Sequence, residues 1–203
     1  FNFVNMNGGT FPVAVVISGG NLQGTGATFT GAVNWTGGTI TGAGSFTFNN
    51  TLAITGPTQK TLSSNRILNL NGTTTWSGNT VTNNNAIVFA GGTINNIGTW
   101  NDANVFASYF NLFSGVNVFN NSGTYNKQNA TVTTMEIPFT NSAAFNINAG
   151  TFASTGGGTH TGTFNIASGA VLDFQGGTHN LNAITTAGAG TVAISGSTSF
   201  NFV

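Results

Sequence analysis

Two histidines are the residues of this sequence best placed to do chemistry, because each closes the same four-residue motif. His160 and His179 both end the sequence GGTH, and 19 residues separate them. In a repeating fold their imidazoles would lie on neighbouring repeats, where two nitrogens can bind a metal ion. With no third Asp, Glu or Cys ligand beside the pair, we expect two surface residues of a repeated turn and no metal site.

The acidic residues are too few and too scattered to predict catalysis. Asp102, Glu136 and Asp173 lie far apart in the sequence, whereas a glycosidase needs two carboxylates about 5 to 10 Å apart. Asp173 stands between Leu172 and Phe174, so on a strand its side chain would point outward. We therefore expect no catalytic residue, no cofactor and no enzyme activity, and a polysaccharide-degrading enzyme is the least favoured function.

Aromatic side chains offer a possible binding function, because exposed rings can stack on sugars. Trp35, Trp76 and Trp100 each stand at the aromatic end of a strand-like run. We expect these three rings to pack in a core rather than to form a binding platform. Exposed aromatic residues clustered in a non-repeating loop would instead indicate a binding module.

The charge inventory excludes several classes of function. Charged residues make up 3% of the 203-residue chain, against about 25% in ordinary globular proteins, and the net charge is zero. Without a basic patch, nucleic acid is not an expected partner. Hydrophobic residues make up 39% of the chain, so a core can form, yet no apolar run reaches the roughly 20 residues of a membrane-spanning helix. Zero net charge leaves little repulsion between copies and favours self-association.

Two short templates recur along the chain and define a loose period. The first reads FNNTLAIT from Phe48, INNIGTWN from Ile94, FNNSGTYN from Phe119 and FTNSAAFN from Phe139. The second, GGT, begins at Gly8, Gly37, Gly91, Gly157 and Gly176. Copies spaced by roughly 20 to 25 residues indicate a solenoid whose coils differ in loop length.

Alternation of apolar and polar residues predicts short strands with one buried face. Gly-Gly, Ser-Gly and Asn-Gly steps interrupt the runs about every 8 to 12 residues, and only residues 101–113 are ambiguous. The alternating apolar residues predict the structural core: Phe46, Phe48, Ile54, Leu68, Leu70, Phe145, Ile147, Phe164, Ile166, Leu172, Phe174, Val192 and Ile194.

The fold class we expect is all-β, a parallel β-helix (β-solenoid) forming a single domain over residues 1–203. It would be right-handed, with about nine turns of roughly 20 to 25 residues. An antiparallel sandwich would also give many short strands, but the near-constant period favours the solenoid. Successive turns would then stack about 4.8 Å apart, with like residues lying on like.

The sequence FNFV stands at both ends of the chain, at residues 1–4 and 200–203. Composition alone gives such a match about once in ten thousand. We therefore expect the ends of the stack to meet, in a head-to-tail homopolymer or a covalent tandem repeat. The end-to-end contact would use Phe1, Phe3, Phe200 and Phe202, and the chain would be one period of a longer array.

The stretch GGGTHTGTFNIASGAVLDFQGGTHNL, at residues 156–181, resembles the strand repeats of very large secreted bacterial proteins. FNNSGTYNK and WTGGTITGAGSF share this style, and the likeness covers most of the chain from about Gly24. Such repeats build the β-helical shafts of filamentous-haemagglutinin-like and autotransporter-like surface proteins. The resemblance implies an extracellular or cell-surface location and a stalk, adhesin or fibre role, with no catalytic motif to carry over.

The function we expect is structural: a subunit or repeat of an extracellular fibre built by end-to-end stacking of solenoid turns. The alternative is an adhesin module that recognises glycan or a surface through Thr, Asn and Trp faces. Because so few groups titrate, we expect stability to change little with salt, or with pH between about 5 and 9.

Overall fold

The computed structural model describes residues 3–78 and 85–202, and every regular element in them is a β-strand. Phe1, one of the residues expected at an end-to-end contact, lies outside the described residues, as does Val203. Residues 101–113, ambiguous in the sequence, hold the end of one strand and the start of the next. Frequent Gly and strict alternation disfavour helices throughout.

The strands are short where a turn follows at once and long where the chain bends without leaving its sheet. In chain order they are β1 (Phe3–Phe11), β2 (Val15–Ile17), β3 (Asn21–Phe29), β4 (Val33–Trp35), β5 (Gly38–Ile40), β6 (Gly44–Phe48), β7 (Leu52–Thr55), β8 (Lys60–Leu70), β9 (Thr73–Ser77), β10 (Ala86–Asn96), β11 (Thr99–Asp102), β12 (Ser108–Asn121), β13 (Thr124–Lys127), β14 (Val132–Met135), β15 (Phe139–Asn141), β16 (Ala144–Ile147), β17 (Thr151–Ser154), β18 (Gly158–His160), β19 (Thr163–Ile166), β20 (Val171–Leu181), β21 (Thr185–Ala187) and β22 (Thr191–Phe202).

All of these strands pair in parallel and form two sheets, one of thirteen strands and one of nine. The smaller sheet contains, in order, β2, β4, β7, β9, β11, β13, β16, β19 and β21. Each of these strands pairs with the corresponding strand of the next coil. The chain crosses this sheet once per coil, so its strands mark about nine coils. The expected fold class, an all-β parallel β-solenoid of about nine turns, is confirmed.

The larger sheet bends along its length, so each coil has three walls. The first half of β8 pairs with β5 and its second half with β6. At the bend Ser64 and Asn65 both take a left-handed backbone with φ of 60°, and the pairing register of β10 shifts between Ala90 and Gly92. Every GGT motif except the one at Gly37 lies at this bend, so the motif marks a corner of the coil.

Coil length varies more than expected. Hydrogen bonds between equivalent Asn side chains on neighbouring coils span 26, 25, 20 and 19 residues. The first coil is shorter still, since Gln23 reaches back 18 residues to Asn5. The extra residues are absorbed at corners, as in β12, where residues 112–116 are exposed.

Inward side chains fill the space between the walls with apolar groups. All of the residues expected in the core are buried except Val192 and Ile194, which are 45% and 65% exposed. Both lie on β22, which pairs only with β20 among the described strands, so no further coil covers them. Trp35, Trp76 and Trp100 are fully buried, as expected for rings packed in a core.

The register of the repeats differs from the template alignment at one copy. Ile94, Phe119 and Phe139 stack on one another, as their shared template predicts. Phe48 does not join them, because the residue in register with Leu68 and Ile94 is Phe46. The FNNTLAIT copy is therefore displaced by two residues, which keeps the same side of the strand inward but changes which residues touch.

Candidate functional site

One inward-facing column of residues runs through the whole stack, one residue per coil. This central column contains Phe11, Phe29, Phe48, Leu70, Asn96, Asn121, Asn141, His160, Leu181 and Phe202. Its two ends are apolar and its middle is polar. Like residues therefore lie on like in three blocks, and the polar block must satisfy its hydrogen bonds inside the core.

A buried asparagine ladder runs through the polar block and leaves Asn96 Oδ1 without a partner among the described residues. Asn96 Nδ2 donates to Asn121 Oδ1 and Asn121 Nδ2 donates to Asn141 Oδ1, both over 2.7 Å. The same two amides also donate to the carbonyl oxygens of Thr124 and Ala144, at the start of the adjacent strands of the smaller sheet. The ladder thus ties neighbouring coils together and holds the corner between the two sheets.

His160 follows Asn141 in the central column, and His179 lies beside it on the next coil. Both side chains are buried, so the expectation of surface residues in a repeated turn is wrong. The GGT residues form the bend itself, and the side chain of the His that follows each of them is buried in the core. His160 Nε2 lies 3.1 Å from His179 Nδ1, and the rings stack with centroids 5.4 Å apart.

The proton positions of this pair follow from its outer contact. His179 Nε2 lies 3.0 Å from the carbonyl oxygen of Gly176, which can only accept, so His179 carries its proton on Nε2. His179 Nδ1 must then accept from His160 Nε2. This leaves His160 Nδ1 as a buried acceptor with no partner among the described residues.

The interior holds both histidines neutral. Burial, together with the smaller effect of the nearby His179, lowers the pKa of His160 to about 3. Burial also lowers the pKa of His179, against the effect of its hydrogen bond to Gly176. Within residues 3–78 and 85–202 no group of three or more His, Cys, Asp and Glu is placed to hold a metal ion.

A second buried polar cluster surrounds the carboxylate of Asp102. It accepts hydrogen bonds from Asn104 Nδ2 over 2.7 Å, from the Tyr125 hydroxyl over 3.3 Å and from the Thr133 hydroxyl. Burial raises the pKa of Asp102, and the nearby Lys127 opposes that rise. Desolvation of the carboxylate therefore outweighs the hydrogen bonds that it receives.

Lys127 is the register partner of Asp102 on the next coil. Its Nζ donates to the carbonyl oxygen of Asn129 and to the hydroxyl of Thr131. Burial lowers the pKa of Lys127, and the charge of Asp102 opposes this shift. The two opposite charges thus stabilise each other across one coil step inside the solenoid.

Two further cations are buried without an acidic partner among the described residues. Lys60 Nζ donates to the carbonyl oxygen of Gly56 over 2.8 Å, and burial lowers its pKa to about 8. The guanidinium of Arg66 donates to the carbonyl oxygens of Thr41 and Gly24, and it lies 4.1 Å from the ring centroid of Phe46.

Sequence reasoning missed these buried charges, although a signal for them exists. Arg66 stands two residues before Leu68, Lys60 two before Leu62, and Asp102 two after Trp100. The alternation that places these apolar residues inward therefore places the charged ones inward too.

The three carboxylates are not brought together. Asp102 lies inside, whereas Asp173 faces outward as expected and accepts hydrogen bonds from Gln175 and Ser195. Glu136 lies on the outer side, where its Oε2 accepts from the backbone N–H of Leu112 over 3.0 Å. The arrangement offers no paired carboxylates of the kind that a glycosidase requires.

Both ends of the described stack expose the hydrophobic core. At the last coil an apolar cavity of about 80 Å³ is lined by Phe164, Leu172, Phe174, Leu181, Ile184, Thr186, Val192, Ile194, Phe200 and Phe202. At the first coil a cavity of about 150 Å³ is lined by Val4, Met6, Val15, Val16, Ile17, Ser18, Gly19, Asn21 and Leu22. These two surfaces are the candidate assembly interfaces.

The two FNFV stretches occupy different walls of the coil. Phe3 and Val4 pair with the first half of β3, and Val4 is in register with the inward-facing Leu22. Phe200 and Phe202 pair with the second half of β20, in register with inward-facing residues. In the first stretch Val4 is in register with a core residue, whereas in the second stretch Phe200 and Phe202 are. The two stretches therefore do not occupy equivalent positions in the coil.

No protein-family model, curated protein or solved structure matches this chain. The parallel solenoid architecture therefore rests on the strand pairing described above. The described residues contain no helix long and apolar enough to cross a membrane.

Proposed function

We propose that this chain is a non-enzymatic structural subunit or repeat of an extracellular or cell-surface fibre. Its coils would stack end to end, as in the shafts of filamentous-haemagglutinin-like and autotransporter-like proteins. The observation that carries the proposal is the central column, which presents Phe11 at the first coil and Phe202 at the last. A second copy, or a further repeat of the same polypeptide, would continue the column without a break in its chemistry.

Contact geometry within the stack supports this continuation. Phe11 and Phe29 stack with ring centroids 5.6 Å apart, and Phe29 and Phe48 at 4.9 Å. Phe202 is 78% exposed. Set over Phe11 of a following copy, it would extend the same aromatic stack.

Edge strands and charge support the same proposal. β22 and β1 each pair with one strand only among the described residues, so each presents backbone groups on its other edge. The exposed side chains of Val192 and Ile194 lie on β22, beside its unpaired edge, and their burial against a second copy would stabilise the assembly. A net charge of zero leaves no long-range repulsion to oppose stacking.

Electron cryo-microscopy of the purified chain tests the non-covalent form. We expect filaments with a layer line near 4.8 Å and an axial repeat of roughly 40 to 45 Å. The double variant Val192→Glu, Ile194→Glu should abolish filaments and keep the circular dichroism of the fold. The matched control Ile97→Glu, Val105→Glu changes residues 52% and 58% exposed on lateral turns and should keep them.

Discrete short rods at every concentration would overturn the non-covalent form of the proposal. The tandem-repeat form has its own test, a chain of two copies joined head to tail. Because each new interface in a solenoid adds stability, that chain should melt at a higher temperature than a single copy. Equal melting temperatures would show that the two ends do not pack on each other.

A further inference from the structure

A groove runs along the outer side of β10, on the wall formed by the first halves of the long strands. Its floor consists of the small outward-facing side chains of Ala86, Val88 and Ala90. On one side the floor is flanked by Thr61 of β8, and on the other by Asn111 of β12, each in register with Val88. At one end of the groove the small Ala86 lies beside its larger register partner Tyr109 of β12.

Two adjoining cavities of about 330 and 380 Å³ make up this groove. They share Gln59 and Asn111, whose side-chain amides offer both hydrogen-bond donors and acceptors. The floor from Ala86 to Ala90 spans about 13 Å at the usual rise of a strand. The groove is therefore elongated, open to solvent and suited to a short stretch of an extended chain.

Aromatic rings stand on the β12 side of the groove. Tyr109 lines one cavity and is in register with Ala86, and Phe113 lines the other and is 75% exposed. Among the side chains that the structure describes, Phe113 and Phe202 are the exposed Phe residues, and Phe113 alone lies away from the ends. Phe113 therefore presents an accessible aromatic face beside the groove.

The loop that carries Phe113 is not part of the repeat. Residues 112–116 are all exposed, and the pairing of β10 with β12 shifts register beside them. Glu136 on the next coil anchors the loop through its hydrogen bond to the Leu112 N–H. The hydrogen bond from Leu112 to Glu136 thus holds the loop that carries Phe113, and it is not one of the backbone bonds that stack the coils.

We propose that this groove binds a neutral polysaccharide. Aromatic faces stack on the C–H faces of sugar rings, and amides hydrogen-bond to their hydroxyl groups. Among the described residues that line the groove Glu136 alone is charged, so they offer no cation to phosphate or sulfate groups. Peptide strands are disfavoured as well, because the backbone of β10 is already paired on both sides. The site lies on a lateral wall, away from the ends of the stack.

Saturation-transfer NMR and calorimetry with neutral hexasaccharides test the proposal. The probes are cello-, chito-, malto- and manno-hexaose, with a heparin hexasaccharide and an unstructured peptide as other ligand classes. We expect at least one neutral sugar to bind with a dissociation constant of about 1 mM or lower. Phe113→Ala and Tyr109→Ala should each weaken that binding roughly three- to tenfold.

Val116→Ala is the matched control, since Val116 is 85% exposed in the same loop and does not line the groove. Binding to this variant should equal binding to the unmodified chain, and circular dichroism should show all variants folded. No binding of any neutral probe, binding of the sulfated probe or the peptide alone, or undiminished binding by Phe113→Ala would each overturn the proposal. The end variant Val192→Glu, Ile194→Glu should still bind sugar, so the groove and the fibre are tested separately.

Discussion

His160 and His179 hydrogen-bond to each other inside the solenoid, with Nε2 of the first 3.1 Å from Nδ1 of the second. In the central column His160 lies between Asn141 and Leu181, so the pair stands between the asparagine ladder and the apolar last coils. Because a charge on either ring would be buried away from water, the pair makes the stability of the fold fall in acid.

We predict that stability falls on acidification below about pH 6.5. The unfolded histidines titrate near 6.5, whereas in the fold the pKa of His160 is about 3 and that of His179 is also lowered. The unfolded chain thus binds more protons in this range. The free energy of unfolding should fall by up to about 1.4 kcal/mol per pH unit for each histidine. The expectation of little change between pH 5 and 9 is thus revised at its acid end, and Lys60 revises it at the alkaline end.

Melting temperatures at pH 7, 6, 5 and 4 measure this effect. The double variant His160→Asn, His179→Phe removes both titrating groups and matches the neighbouring residues of their columns. Asp102 acts in the opposite direction, because its raised pKa lets the folded chain bind a proton at a higher pH than the unfolded chain does. Both proteins contain Asp102, so its effect cancels in the comparison. Parallel pH profiles for the variant and the unmodified chain would refute the assignment to the histidines.

Asn121→Leu should destabilise the fold by about 3 kcal/mol. The change removes the donor that Asn121 gives to the Oδ1 of Asn141 and to the carbonyl oxygen of Ala144. It also removes one of the two hydrogen bonds that the Asn96 amide donates. The matched control is Asn120→Leu on the same strand, where a single half-buried amide bond to Asn95 is lost. We expect that control to cost about 1 kcal/mol or less, measured from denaturant midpoints, and similar costs at both positions would contradict the role of the buried ladder.

Phe164→Asp should cost about 4 kcal/mol or more, and Phe145→Asp should behave in the same way. Both rings are fully buried, so a new carboxylate in their place would lose its hydration. Thr163→Asp tests the same charge one residue away on the outer side of β19, where solvent reaches the side chain. Loss of folded signal in circular dichroism for the Phe variants alone would confirm the inward face, whereas equal losses would contradict it.

Stability should rise as the pH increases from about 8 to 10. The pKa of Lys60 falls from 10.5 in the unfolded chain to about 8 in the fold, because burial disfavours its charge. The unfolded chain therefore binds more protons across this window, and unfolding becomes harder as the pH rises. Lys60→Met should flatten this part of the profile in denaturant titrations, and an unchanged slope would show that Lys60 stays solvated.

The amino-acid sequence by itself determined the local pattern of this protein. Alternation at Phe46 and Phe48, or at Phe164 and Ile166, dictates strands with one apolar face, and a short period dictates that those faces stack. Alternation acts within a few residues and the repeat within about 25, so both can be recognised without knowledge of contacts between distant segments. The all-β class, the parallel solenoid and the burial of the three Trp rings follow from them.

The tertiary structure decided what depends on register between coils. Coil lengths that vary from 18 to 26 residues set which residues meet, so Phe46 rather than Phe48 joins Ile94, and His160 meets His179 in the interior. The groove beside Phe113 likewise needs three neighbouring coils, none of which carries it alone. Register is a property of pairs of distant segments, and loop residues that absorb a length difference leave no periodic signal in the sequence.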